Sequence, residues 1–171
     1  LALNGAYGLL QLAYAELTGG NLDELFVQPV TGGDSKINIY GAIGGRIVNN
    51  TVLDLNGVSP GPPWIMLNSS NGTPSQNVLV RNNLATDYSL AGTNIAADHN
   101  VEYTNAAAYF VAPPFDLHLK TGSPAIEAGS TLLAPPRDAD GIRRPQGALP
   151  DLGAYEHCPL CLFSDGFETA D

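Results

Sequence analysis

Positive charge is scarce in this chain, with seven Lys and Arg against seventeen Asp and Glu over 171 residues and a formal net charge of −10. Phosphate binding depends on clustered Lys and Arg, so nucleic acid is excluded as a partner. The same field argues against unaided binding of an acidic polysaccharide, unless a basic cleft forms locally or Ca²⁺ bridges carboxylate to carboxylate. Ca²⁺ is the one cofactor this pattern admits. Cysteine is missing until Cys158 and Cys161, which share one Cys-Pro-Leu-Cys motif. Avoidance of thiols elsewhere fits an oxidising compartment. Two ligands do not make a tetrahedral metal site, so the pair is expected to form a small local disulfide, with a Cys-Cys-His site including His157 as the minor alternative. No apolar run approaches the roughly 20 residues of a spanning helix. The start, LALNGAYGLL, has neither an initiator Met nor a basic stretch, which is the expectation for a chain that begins inside a longer or processed protein.

What the sequence does contain is turn-forming residues, 19 Gly and 13 Pro, around short apolar runs, with only 14% of residues charged. That composition favours β-structure over helices. Residues 1–35 read as an N-terminal edge segment, a helix or a first coil; from Leu1 to about Glu16 a short amphipathic helix and an alternating strand fit equally well, and periodicity does not decide between them. From 36 to 120, short β-branched runs end in Asn: INIY at Ile37 to Tyr40, RIVNNTVLDLNG at Arg46 to Gly57, WIML at Trp64 to Leu67, and NVLVRNNLAT at Asn77 to Thr86. Aligning Asn49-Asn50 with Asn82-Asn83 places Ile47 over Val80 and Thr51 over Leu84. A weaker third copy, NIAADHNV, puts Asn100 near the same rung. Repeats that match residue for residue imply stacked units. Asn suits the bends because it tolerates left-handed backbone, and stacked amides can hydrogen-bond from unit to unit.

Two further motifs follow: Asp-Leu-His-Leu-x-x-Gly-Ser-Pro-Ala-Ile-x-Ala-Gly at Asp116 to Gly129, and DADGIRRPQG with DLGAYE between Asp138 and Glu156. Together with the Asn-ended repeats, they resemble the C-terminal portions of bacterial right-handed parallel β-helix proteins of the pectate-lyase-like kind. The resemblance implies an all-β, single-stranded parallel β-helix of about four to six coils. It implies coils over 36–120, a C-terminal cap over 121–157 and a Cys-containing tail over 158–171. The resemblance further implies a secreted or cell-surface protein that acts on polysaccharide. A lyase is favoured over a glycoside hydrolase if the chain is catalytic; the alternative is a non-catalytic carbohydrate-binding, adhesin or tailspike-like module. Self-association through an exposed β-helix edge is a further expectation.

A lyase needs a base and a cation beside the developing carbanion. The best local cluster is Arg81 opposite Asp98 with His99 beside it. The plainer reading of the same three residues is a surface ion pair, worth at most about 1 kcal/mol, next to a His in an Asn-ladder position. Trp64 is the candidate for stacking on a sugar face, with core packing as its alternative. Asp138 and Asp140 lack the later ligands of a Ca²⁺ loop and read as a turn. His118, alternating with Leu117 and Leu119, is expected to face solvent. Acids and bases gathered in one groove would favour an enzyme, and a smooth face of Asn, Thr and Ser a binder.

Overall fold

The computed structural model describes residues 37–53 and 65–159 in full and, before them, the backbone of the strands within 2–16, 25–29 and 35–36. The strands are β1 (Ala2–Gly5), β2 (Gly8–Gln11), β3 (Tyr14–Glu16), β4 (Leu25–Pro29), β5 (Ser35–Tyr40), β6 (Ile43–Val48), β7 (Thr51–Val52) and β8 (Ile65–Asn68). They continue with β9 (Gln76–Arg81), β10 (Leu84–Ala85), β11 (Tyr88–Leu90), β12 (Ala96–Asp98) and β13 (Val101–Glu102). A four-residue helix, α1 (Ala106–Tyr109), precedes β14 (Phe110–Ala112) and β15 (Asp116–Leu119). The chain is therefore all-β, with parallel sheets at its centre.

Three successive strand triplets, β5–β6–β7, β8–β9–β10 and β11–β12–β13, each contribute one strand to each of three sheets. Every pairing between triplets is parallel. The register matches the repeat alignment: Ile47 pairs with Val80, Thr51 with Leu84, and Leu84 with Val101. Alternation turns Ile37, Ile39, Ile47, Val52, Ile65, Leu67, Val78 and Val80 inward, all at or below 1% exposure, into one apolar column. No triplet could bury these side chains alone.

Two columns of left-handed backbone form the bends. Gly44, Asn77 and Asn94 (φ 73°, 55° and 55°) make one, and Asn49, Asn82 and His99 (φ 53°, 58° and 51°) the other. Beside the second column runs an amide ladder. The Asn83 Oδ1 accepts from the Asn50 backbone N–H and Nδ2, each at 2.9 Å, and Asn83 Nδ2 donates to Asn100 Oδ1 at 2.8 Å. Buried amides are thus paired by their own repeats.

The first residues, ambiguous between helix and strand in the sequence, form strands that run opposite to the first triplet. β4 pairs with β5, β3 with β6, and β2 with β7, all antiparallel. The outer side of the first triplet is therefore paired with the chain's own strands.

The 121–157 segment, expected to close the end of the stack, contacts its flank. Asn82 Nδ2 donates to the Ser130 carbonyl, the Gly153 N–H to the Asn82 carbonyl, and the Ala154 N–H to Thr51 Oγ1. A Cβ on Gly153, whose φ is 84°, would lie 2.5 Å from Thr51 Oγ1, so only glycine allows this approach. A second apolar cluster, including Leu53, Leu84, Tyr103, Phe110, Leu117, Leu152 and Tyr155, fills the seam.

Candidate functional site

Register brings Arg81 on β9 opposite Asp98 on β12, as the repeat alignment predicts. The contact is bidentate: Arg81 Nε lies 2.5 Å from Asp98 Oδ1, and Nη2 lies 2.7 Å from Oδ2. Arg81 Nη1 donates to the Leu132 carbonyl at 2.9 Å, and only 11% of the side chain remains exposed. His99 Nδ1 sits 2.9 Å from Asp98 Oδ1, at a position whose φ of 51° belongs to the Asn column. The hydrogen bond from Arg81 holds the Asp98 carboxyl far below the usual carboxylate range, against a smaller opposing effect of burial and with help from His99. A carboxylate so acidic is a poor base, and an arginine engaged on two sides has little left to offer a substrate. The cluster joins neighbouring units.

Trp64 lies outside the described residues. Cys158 is disulfide-bonded, and Cys161 lies outside the described residues. A cavity of about 320 Å³ beside the tail is lined by Glu127, Asp151, His157 and Cys158 among others. Its acids are engaged by backbone. Asp151 accepts from the Glu127 and His157 N–H groups at 2.7 and 2.5 Å, and Glu127 accepts from the Ala148 N–H at 3.0 Å.

The closing motifs prove to be a buried polar network. Arg144 and Glu156, each with 1% of its side chain exposed, meet at 2.5 Å. Arg144 also donates to the carbonyls of Asp151 and Gly153. Burial pushes the Glu156 and Asp151 carboxyls upward, with Arg144 opposing. Asp138, expected in a turn, uses both oxygens on backbone: Oδ1 accepts from the Asp140 and Ile142 N–H groups, and Oδ2 from Glu156. Among the described residues, no group of three or more His, Cys, Asp or Glu is placed to hold a metal ion.

His118 faces outward from β15 as alternation predicts, flanked by buried Leu117 and Leu119. Its surroundings were not legible: Nδ1 lies 2.6 Å from Asp116 Oδ1, Nε2 lies 2.6 Å from Asp140 Oδ2, and the ring stacks on Tyr155 at 4.1 Å. The Asp116 contact is two residues away and could have been found from DLHL; the Asp140 contact needed the fold.

The sheet β11–β8–β5 carries a different kind of surface. Ile37, Ile39, Ile65 and Leu67 point into the core, so Asn38, Tyr40, Met66, Asn68 and Ser89 occupy the opposite face. Asn68 Nδ2 donates to Asn38 Oδ1 at 2.9 Å, and Asn38 Nδ2 to the Tyr40 hydroxyl at 3.0 Å. The Tyr40 hydroxyl keeps its own proton to donate. Asn38 is buried at 7% exposure and orients its neighbours from beneath, Tyr40, Met66, Asn68 and Ser89 are half-buried, and none of these five side chains carries charge. No helix among the described residues is long and apolar enough to cross a membrane. Comparison of the chain with protein-family models, curated proteins and solved structures finds no match.

Proposed function

We propose that the three strand triplets are coils of a right-handed parallel β-helix, and that the chain is a secreted, non-catalytic module binding neutral polysaccharide on the β5–β8–β11 face. The observation that carries the reading is the uncharged row of Asn38, Tyr40, Met66, Asn68 and Ser89. Amides and hydroxyls already oriented by their neighbours can exchange hydrogen bonds with sugar hydroxyls at small entropic cost, and a phenol ring can cover a sugar's apolar face. Parallel register supports the coil assignment, and right-handed crossover is the rule for parallel connections. The net charge of −10 favours a neutral glycan over a uronate.

A lyase centred on Arg81, Asp98 and His99 is the competing reading. It is disfavoured because the cation and the carboxylate satisfy each other. The test is a panel of neutral and uronate glycans, with and without Ca²⁺, followed by equilibrium binding and by absorbance of unsaturated products. Binding of a neutral glycan without product, weakened about tenfold by Tyr40→Ala, is the expected result. Unsaturated product from a uronate, abolished by His99→Ala, would replace the binder with a lyase.

A further inference from the structure

We infer that His118 is a pH-sensitive clamp between β15 and the turn at 138–142, closed when the imidazole carries both protons and weakened when it loses one. Its two ring nitrogens each lie 2.6 Å from a carboxylate oxygen, one from Asp116 on its own strand and one from Asp140 across the turn. A carboxylate above its own titration range only accepts hydrogen bonds, and neutral imidazole has a single N–H. Both contacts are therefore hydrogen bonds only in the imidazolium, and deprotonation leaves one nitrogen lone pair facing a carboxylate oxygen.

The surroundings set the direction. Burial among its neighbours disfavours the charged ring, but the Asp140 and Asp116 carboxylates outweigh it and raise the pKa above its ordinary 6.5. Tyr155, stacked on the ring, brings no charge of its own. Asp138, the other acid of the turn, is turned toward the N–H groups of Asp140, Ile142 and Glu156. Because the folded value is raised, the clamp's contribution is complete below 6.5 and is lost as pH rises through the raised value.

What closes is local. Asp138 holds the inside of the turn through backbone N–H groups, whereas Asp140 and His118 are its only described side-chain tie to β15. Opening would loosen the 138–142 turn and uncover Tyr155, leaving the stacked triplets unaltered.

The experiment is an NMR titration of the His118 ring in the full chain, together with amide protection factors across 138–142. The expected result is a His118 pKa above 6.5 that falls in Asp140→Asn. Turn protection should drop about fivefold across the titration in the wild type and stay flat in the variant. A His118 pKa at or below 6.5 would overturn the clamp, as would turn protection that ignores the titration or a pKa unmoved by Asp140→Asn. Asp116→Asn provides the second variant: it should lower the pKa while leaving the Asp140 contact as the remaining tie.

Discussion

Asn77 and Asn94 sit one above the other at φ 55°, with Asn94 Nδ2 donating to Asn77 Oδ1 at 2.6 Å. Because Asn77 is exposed, its backbone conformation can be tested apart from core packing. Asn77→Gly is expected to change stability by less than about 1 kcal/mol, since glycine accepts the left-handed region freely. Asn77→Val should cost about 2 kcal/mol more, because a β-branched side chain at positive φ is strained. Urea denaturation midpoints of the two variants check the difference, and equal midpoints would remove strain as the reason for Asn here. At this scale the sequence was informative. A bend that needs left-handed backbone admits few residue types, so repetition of Asn-Asn revealed the rung at 49–50, 82–83 and 99–100. Even the departure at His99 was readable, because Asn100 kept its place. Gly44 was not readable as the first member of the Asn77 column, since glycine marks left-handed backbone and ordinary loops alike.

Among the elements, the strands of the parallel sheets were the most legible, as short β-branched runs with period-two burial. Two arrangements were not. The antiparallel course of β2, β3 and β4 against the first triplet depends on long-range pairing that local pattern does not encode. Such strands meet backbone donors and acceptors that an open edge would leave unpaired. The flank position of the 121–157 segment was also hidden, although its motifs were conspicuous. Asp138, which reads as part of a turn, and Arg144, Asp151 and Glu156 of the closing motifs are buried around one guanidinium, a placement their local pattern does not encode. This network is expected to hold the segment in place. Arg144→Met removes the partner of Glu156 and of two carbonyls, and should destabilise the protein by about 3 to 5 kcal/mol. Chemical denaturation measures the loss. Limited proteolysis should find its first new cuts within 121–157; a loss under about 1 kcal/mol would mean the network is dispensable.

For the molecule as a whole, the triplets, the Asn columns and the amide ladder make one physical argument. Each is nearly powerless alone: a two-residue strand, a strained bend or a buried amide is stable only with an identical neighbour above or below. The same stacking that closes the core lines up Asn38, Tyr40, Met66, Asn68 and Ser89 on an outer face, so the proposed glycan surface depends on register. The sequence displayed the repeat but not this face, because INIY, WIML and YSL share no identical outward residue. Trp64, the sugar-stacking candidate in the sequence, lies outside the described residues, whereas Tyr40 is the aromatic on the proposed face.

Register between β9 and β12 is the most direct measure of the stack. Leu79 and Ala96 are directly paired on adjacent parallel strands, which lie about 4.8 Å apart, within the Cα separation a disulfide spans. In the Leu79→Cys/Ala96→Cys double variant, mild oxidation should join the two new cysteines nearly completely, as read by peptide mapping. The Leu79→Cys/Asp98→Cys control, displaced by two residues, should cross-link poorly. Preferential cross-linking of the displaced pair, or equal cross-linking of both, would contradict an in-register stack and with it the face proposed to bind glycan.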